Sequence, residues 1–309
     1  MHQPLAIPDA FRRRLLHQDR TTAPWLDGAP DHARTMCRRW DLAADGAPSF
    51  GGTSIVLPVR TADGDPAVLK LVSPLVDAAL EAKALTALAG HGMVELLRAD
   101  ADEGALLLER LDGPTLTEHP EPLAAARIAG EVAARIAAVP APSDPPRLAE
   151  TSRAWGQSFQ AQHARAVADE LPIPAGAGER AAEIIDDLAE DRSSTFTHGD
   201  LSFANVLRRA EDDWVAIDPG WLCGPVEHEA HTVVRSVLPG VLDAPRPREG
   251  LRALVGAFCE TSGADLERAE TLSCARFVAS YFWEAQHAGT ADDIERLRRA
   301  IELLMGDPG

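Results

Sequence analysis

Apolar and polar positions follow one rhythm in the first third of the chain and another afterwards. Ser54-Ile55-Val56-Leu57-Pro58-Val59-Arg60 and Ala67-Val68-Leu69-Lys70-Leu71-Val72 are apolar runs separated by Ala62-Asp63-Gly64-Asp65. Asp-Gly between two β-rich runs predicts a hairpin. A glycine-rich turn, Gly46 to Ser54, precedes the first run. Pro74 predicts the start of a helix that reaches Ala89 and is closed by Gly90. Val94 to Leu97 and Gly104 to Leu111 predict two more short strands, and Asp112-Gly113-Pro114 stops the last. Together these elements predict a small β-rich lobe with one helix.

From Glu121 onward the period becomes helical. Ile128, Val132, Ile136 and Val139 form one apolar stripe. The proline-rich stretch from Pro140 to Pro146 predicts a surface connection, and helical segments are expected over 151–170, 177–190, 247–260 and 265–305. One β-type segment, 195–218, interrupts them. The expectation is an α+β chain of two lobes, 1–111 and 112–309, the second mainly helical.

Composition narrows the function. Forty-eight Asp and Glu against thirty Lys and Arg leave a net charge of −18. Such a surface repels phosphate backbones and anionic lipid, so neither nucleic acid nor a membrane is the expected partner. It suits a cationic small molecule, with solubility as the plainer reason for the acidity. The four cysteines form no CxxC pair, which suggests reduced thiols in a cytoplasm. No apolar run follows Arg12-Arg13-Arg14, and no stretch is long enough for a membrane span.

Chemistry concentrates in 195–218. Thr197-His198-Gly199-Asp200-Leu201-Ser202-Phe203-Ala204-Asn205 leads into Val206-Leu207, a polar turn, and Trp214-Val215-Ala216-Ile217-Asp218-Pro219. Pairing Val206-Leu207 with Trp214 to Ile217 as an antiparallel hairpin brings Asn205 and Asp218 to the same end. Two oxygen donors there suit Mg²⁺, which completes its shell with phosphate and water. Asp200, five residues before Asn205, is placed to accept the proton of an attacking hydroxyl. The Asp-x-x-x-x-Asn pattern with a later Asp matches the catalytic and metal-binding loops of protein kinases. Here the triplet is His-Gly-Asp and the later Asp stands in Ile-Asp-Pro, which points to small-molecule kinases. His198 is expected to hold the loop through ring hydrogen bonds.

The amino-terminal lobe tests this reading independently. Lys70 lies inside an apolar strand, where an unpaired ammonium is costly. Glu81 shares a helix face with Leu85 and Leu88, so it points inward and can pair with Lys70. That leaves the lysine to hold nucleotide phosphates. Gly51, Gly52 and Thr53 are candidates for phosphate contact through backbone amides and a hydroxyl, although the same residues also read as a plain hairpin turn. The Glu109 carbonyl and the Leu111 amide are candidates for the adenine edge.

These residues together resemble the aminoglycoside/hydroxyurea antibiotic resistance phosphotransferases, and among them the streptomycin kinases. The resemblance runs through Val59 to Gly64, Ala67 to Lys70, Gly92 to Leu97, Leu106 to Leu111, His198 to Asp200, Asn205 to Leu207 and Trp214 to Pro219. It implies a protein-kinase-like fold, ATP and Mg²⁺. It also implies Asp200 as base, Asn205 and Asp218 as metal ligands, and Lys70 with Glu81 as the phosphate-holding pair. Two departures stand out. Ser202 replaces a frequent His, and Cys223-Gly224-Pro225-Val226-Glu227-His228-Glu229-Ala230-His231 replaces the usual Gly-Asp-Pro with a downstream Asp.

Glu229 and Glu284 are candidate acceptor contacts, the latter beside Tyr281-Phe282-Trp283, which reads as core packing. His228 and His231 allow a weaker zinc reading, but their spacing is not HExxH. The expected activity is transfer of the γ-phosphoryl group of ATP to a hydroxyl of a small, cationic, aminoglycoside-type antibiotic. The alternatives are kinases of another metabolite or nucleoside-type antibiotic, and a catalytically silent binding module.

Overall fold

The computed structural model describes residues 5–287 and 289–305, and the chain divides into two compact units, Met1–Asp112 and Gly113–Gly309. The first unit starts with two helices, α1 (Asp9–Gln18) and α2 (Ala23–Arg39). Short strands β1 (Ala43–Ala44) and β2 (Ser49–Phe50) follow, then β3 (Ser54–Arg60), β4 (Pro66–Val72), helix α3 (Ala78–Ala87), β5 (Leu96–Asp100) and β6 (Ala105–Glu109). The sheet is antiparallel with order β1-β3-β4-β6-β5, and β2 also pairs with β3.

Alternation along β4 sorts its side chains. Ala67, Leu69 and Leu71 join Ile55, Val59, Ala105 and Leu107 in one core with Phe11, Leu15, Leu26 and Met36 of the first two helices. Lys70 falls on the other face, with Val56 and Leu106 as its cross-strand neighbours. The sequence expected one helix in this unit, and the structure has three α-helices among its described residues. The opening helices escaped notice because arginines and histidines crowd their exposed faces, leaving only a thin apolar stripe. The third helix begins at Ala78, later than Pro74 suggests, because the Asp77 carboxylate caps it by accepting from Ala79 and Leu80 N–H. The strand expected at 94–97 forms instead as β5, over Leu96–Asp100.

The second unit is helical around one hairpin. Helices α4 (Pro122–Ala137), α5 (Leu148–Ala168) and α6 (Ala177–Asp187) precede β7 (Val206–Ala210) and β8 (Asp213–Ala216). After the hairpin come α7 (Ala230–Leu242), α8 (Pro247–Ser262), α9 (Leu266–Gln286) and α10 (Ala291–Met305). The single segment expected over 265–305 is therefore two helices. Gly130 lets α4 and α8 approach closely, since a Cβ there would collide with the Phe258 carbonyl and the Thr261 hydroxyl. Tyr281 and Phe282 are fully buried, as their reading as core predicts, whereas Trp283, read with them as core, is 43% exposed on the outer side of α9; the Tyr281 hydroxyl donates to the Pro172 carbonyl at 2.7 Å. Among the described residues no helix is long and apolar enough to cross a membrane.

Candidate active site

The hairpin register sets the first part of the site. Val206 pairs with Ala216 and Leu207 with Val215. The Ile217 N–H donates to the Asn205 carbonyl at 2.9 Å, extending the pairing beyond the strands. Asn205 closes a short 3₁₀ turn, Phe203–Asn205, and Asp218 follows Ile217 in the left-handed region at φ +59°. A non-glycine residue held there is uncommon and stores strain of ~1–3 kcal/mol. Asn205 and Asp218 are thus oxygen-bearing residues at one end of the hairpin, a pair of donors that could hold a hard cation. The Asn205 amide nitrogen donates to the Asp200 carbonyl at 2.9 Å and to the Asp200 carboxylate at 3.3 Å. Asp200 and Asn205 are therefore in direct contact.

His198 is 1% exposed and ties this loop to the strand end. Its Nε2 lies 2.8 Å from the Ile217 carbonyl, and the Asp200 N–H points at its Nδ1 at 3.3 Å. A carbonyl only accepts and a backbone N–H only donates, so the proton sits on Nε2. One neutral tautomer thus links the residue before Asp218 to Asp200 itself.

Glu229, expected as an acceptor contact, is 1% exposed and is turned toward the loop that carries Asp200. Its Oε1 accepts from the Gly199 N–H at 2.6 Å and from the Thr197 hydroxyl, and its Oε2 accepts from the Leu201 N–H at 3.1 Å. Gly199, at φ +87°, supplies the left-handed turn between these donors. The carboxylate is spent on the backbone around Asp200. Glu284 is likewise engaged, accepting from Arg235 at 2.6 Å with a side chain 16% exposed.

In the first unit, Lys70 Nζ and Glu81 Oε1 stand 2.5 Å apart with both side chains 5% exposed. Gly51 and Gly52 form the turn between β2 and β3, closed by the Gly51 N–H to the Ser54 carbonyl at 3.0 Å. The Gly51 carbonyl accepts from Arg14, and the Thr53 carbonyl accepts from the Ser73 N–H at 2.9 Å. Glu109 ends β6, its carboxylate accepting from the Glu95 N–H at 2.7 Å, and Leu111 follows, half-buried.

A cavity of about 360 Å³ lies against Asp200 within the second unit. Ser202 and Ala204 share the Asp200 wall, Thr232, Arg235 and Ser236 come from α7, and Arg276 comes from α9. Sequence reasoning missed both arginines. The available signal was an arginine inside an apolar run, Val233-Val234-Arg235 and Ala275-Arg276-Phe277. His231 also lines the cavity. Burial pushes the His231 and His228 imidazoles well below their ordinary value, and the Arg276 charge adds to this at both. Neither histidine belongs to a metal cluster, since no group of three or more His, Cys, Asp or Glu side chains is placed to hold an ion among the described residues.

A profile of the aminoglycoside/hydroxyurea antibiotic resistance kinases matches residues 39–288. The chain belongs to that family. It is 33% identical to a hydroxyurea phosphotransferase of Kitasatospora aureofaciens, over 92% of this chain and 81% of that one. It is 30% identical to a streptomycin 6-kinase of Streptomyces glaucescens, over 87% of each. In fold it is similar to a choline/ethanolamine kinase family protein of Mesorhizobium loti, with a TM-score of 0.58 at 16% identity over 86% of this chain and 88% of that one. The chain is accordingly an antibiotic-resistance phosphotransferase with a protein-kinase-like fold, acting on a hydroxyl of a small molecule.

Proposed function

We propose that this family member moves the γ-phosphoryl group of ATP, with Mg²⁺, to a hydroxyl of a small antibiotic of the aminoglycoside kind. The observation that carries the reading is the direct contact of Asp200 with Asn205, on a loop that His198 ties to the residue before Asp218. The Asp200 carboxylate takes the hydroxyl proton as the acceptor oxygen bonds to the γ-phosphorus. The bond from that phosphorus to the bridging oxygen breaks, and ADP leaves with its electron pair. Asn205 and Asp218 hold the metal, which offsets phosphate charge when bound. Lys70, oriented by Glu81, holds nucleotide phosphates beside the Gly51-Gly52-Thr53 turn, and the Glu109 carbonyl and Leu111 amide meet adenine. Residues 1–111 serve the nucleotide, and 112–309 serve chemistry and acceptor. ATP as donor and four free cysteines fit a cytoplasmic site of action.

The streptomycin 6-kinase relative and the net charge of −18 support an aminoglycoside acceptor. A neutral, hydroxyurea-like acceptor is the second reading, favoured by the two guanidinium groups beside Asp200. Mass spectrometry of streptomycin, other aminoglycosides and hydroxyurea after incubation with Mg·ATP tests both. One product gaining a phosphoryl group is expected. Mg·ATP binding without any phosphorylated product would leave a silent binding module.

A further inference from the structure

The glycine-rich turn between β2 and β3 is gripped from outside by the first helix. Phe50, the last residue of β2, packs on Phe11 of α1 with ring centroids 5.2 Å apart. Phe11 is 4% exposed and belongs to the core of the first unit, so it is a fixed support. The carbonyl of the next residue, Gly51, accepts from the Arg14 guanidinium. That guanidinium lies 5.4 Å over the Phe11 ring, close enough for attraction to the ring face. Arg14 and Phe11 stand three positions apart on α1 and so share a face. One helix face therefore holds two consecutive residues of the turn. The segment's other supports lie elsewhere. At its start the Asp45 carboxylate accepts from Arg110 at 2.7 Å and lies 3.1 Å from Arg60 Nε. At its end the Thr53 carbonyl accepts from the Ser73 N–H at 2.9 Å. At the tip, the Gly52 and Thr53 N–H groups have no acceptor among the described residues, and a Cβ at Gly52 would meet nothing within 4 Å.

The peptide joining Gly51 to Gly52 is planar and trans, so its C=O and N–H point in opposite directions. Capturing the carbonyl from α1 aims the Gly52 N–H away from that helix. With a glycine on each side, nothing else in the local chain resists rotation of this peptide plane. Turned over, it would present a carbonyl oxygen where an anion needs a donor. We propose that Arg14, supported by Phe11, is a positioning residue that fixes the Gly51–Gly52 peptide and holds the Gly52 N–H ready for a nucleotide phosphate oxygen. The link to phosphate rests on the nucleotide reading of this turn; the grip on the peptide does not. Without Arg14 the peptide spends part of its time turned over, and phosphate affinity falls by that fraction.

Full-length wild type is compared with Arg14→Ala, Arg14→Lys and Arg12→Ala. Arg14 is exposed, so its loss leaves the fold intact. Arg12 lies on the same helix but pairs with Asp27 at 2.7 Å, and its variant controls for lost positive charge. Two quantities are read: calorimetric affinity for Mg·ATP and for adenosine, which has no phosphate, and amide hydrogen exchange at Gly51 and Ser73 without nucleotide. Arg14→Ala should weaken Mg·ATP binding about fivefold, the factor that one ordinary hydrogen bond supplies, and change adenosine binding by less than about twofold. Exchange at both amides should accelerate. Arg14→Lys keeps a donor and should restore most of the affinity, while Arg12→Ala should match the wild type. Mg·ATP affinity unchanged in Arg14→Ala, an equal loss for adenosine, or an equal loss in Arg12→Ala overturns the positioning role. A wild type that binds no Mg·ATP refutes the proposed function instead, and exchange then decides the grip alone: wild-type rates in Arg14→Ala overturn it, and faster rates uphold it.

Discussion

At Lys70 two opposite charges come from positions eleven residues apart and neutralise each other at 2.5 Å. Around Asp200 a single carboxylate, Glu229, is met by three donors that lie 28 to 32 residues before it in the chain. Both arrangements keep ionised groups in dry surroundings, and they differ in what each partner is. The strand–helix corner pairs side chain with side chain, so both members can be exchanged together. The loop pairs a side chain mainly with backbone N–H groups, which no substitution other than proline removes. The first unit thus carries a replaceable charge pair, whereas the second carries an anchor whose loss leaves orphaned donors.

The largest effect is expected where the loop presents its chemistry. Asp200→Asn keeps the shape of the side chain but cannot take a proton from the acceptor hydroxyl. Turnover should fall by ~10²–10⁴, with KM for ATP changed by less than about threefold. Steady-state ADP release measures both. Undiminished turnover would move the base away from Asp200 and reduce the loop to a scaffold.

Stability measurements then separate the two kinds of anchoring. Lys70→Met leaves Glu81 buried without its ammonium and should cost ~3–5 kcal/mol in urea denaturation. Lys70→Met combined with Glu81→Leu should recover part of that stability, because the buried carboxylate is removed together with its ammonium. Nucleotide binding should not recover, with KM for ATP at least about tenfold above the wild type in both variants. A double variant as unstable as the single one would show that the corner depends on more than its charge pair.

Glu229→Gln should cost somewhat less, roughly 2–4 kcal/mol, since one oxygen becomes an NH₂ group facing N–H donors. Glu229→Leu should be at least as damaging, and exchanging a neighbouring side chain should not rescue it because the Gly199 and Leu201 amides remain. Hydrogen exchange at Gly199 and Leu201 should accelerate in both variants. Protection equal to the wild type would mean that another acceptor holds the loop.

The same contrast explains what could be read from the sequence. Lys70 and Glu81 announce themselves through local periods, a charge inside an apolar strand and a carboxylate on the inward face of a helix. Asp200, Asn205 and Asp218 are legible because a short hairpin fixes their spacing. Glu229 looked like an acceptor contact because nothing local reveals that it folds back onto residues 197–201. Arg235 and Arg276 obey the rule applied to Lys70, but they occupy helices remote in sequence whose shared cavity appears only on packing. The opening helices were hidden for another reason: their apolar stripe is completed by the sheet, through Ile55, Leu69 and Leu107, and is thin when read alone.

The smallest effect concerns the segment that carries the loop's anchor. His228 and His231 flank Glu229, and each has a buried Nδ1 with no hydrogen-bond partner. Burial, reinforced by Arg276, pushes both imidazoles well below 6.5 in the folded chain. In the unfolded chain they titrate near ~6.5. As pH falls through that value, the unfolded state takes up protons that the folded state refuses, so stability is complete above about pH 7 and is lost toward acid. Each histidine contributes a slope approaching ~1.4 kcal/mol per pH unit, and the pair amounts to at most about 3 kcal/mol between pH 7.5 and 5.5. Urea denaturation at those two pH values measures the loss, and His231→Asn or His228→Asn should each remove about half of it. A stability that is flat over this range, or one that both variants leave equally steep, would place the titrating groups elsewhere and detach the acid sensitivity from the Glu229 segment.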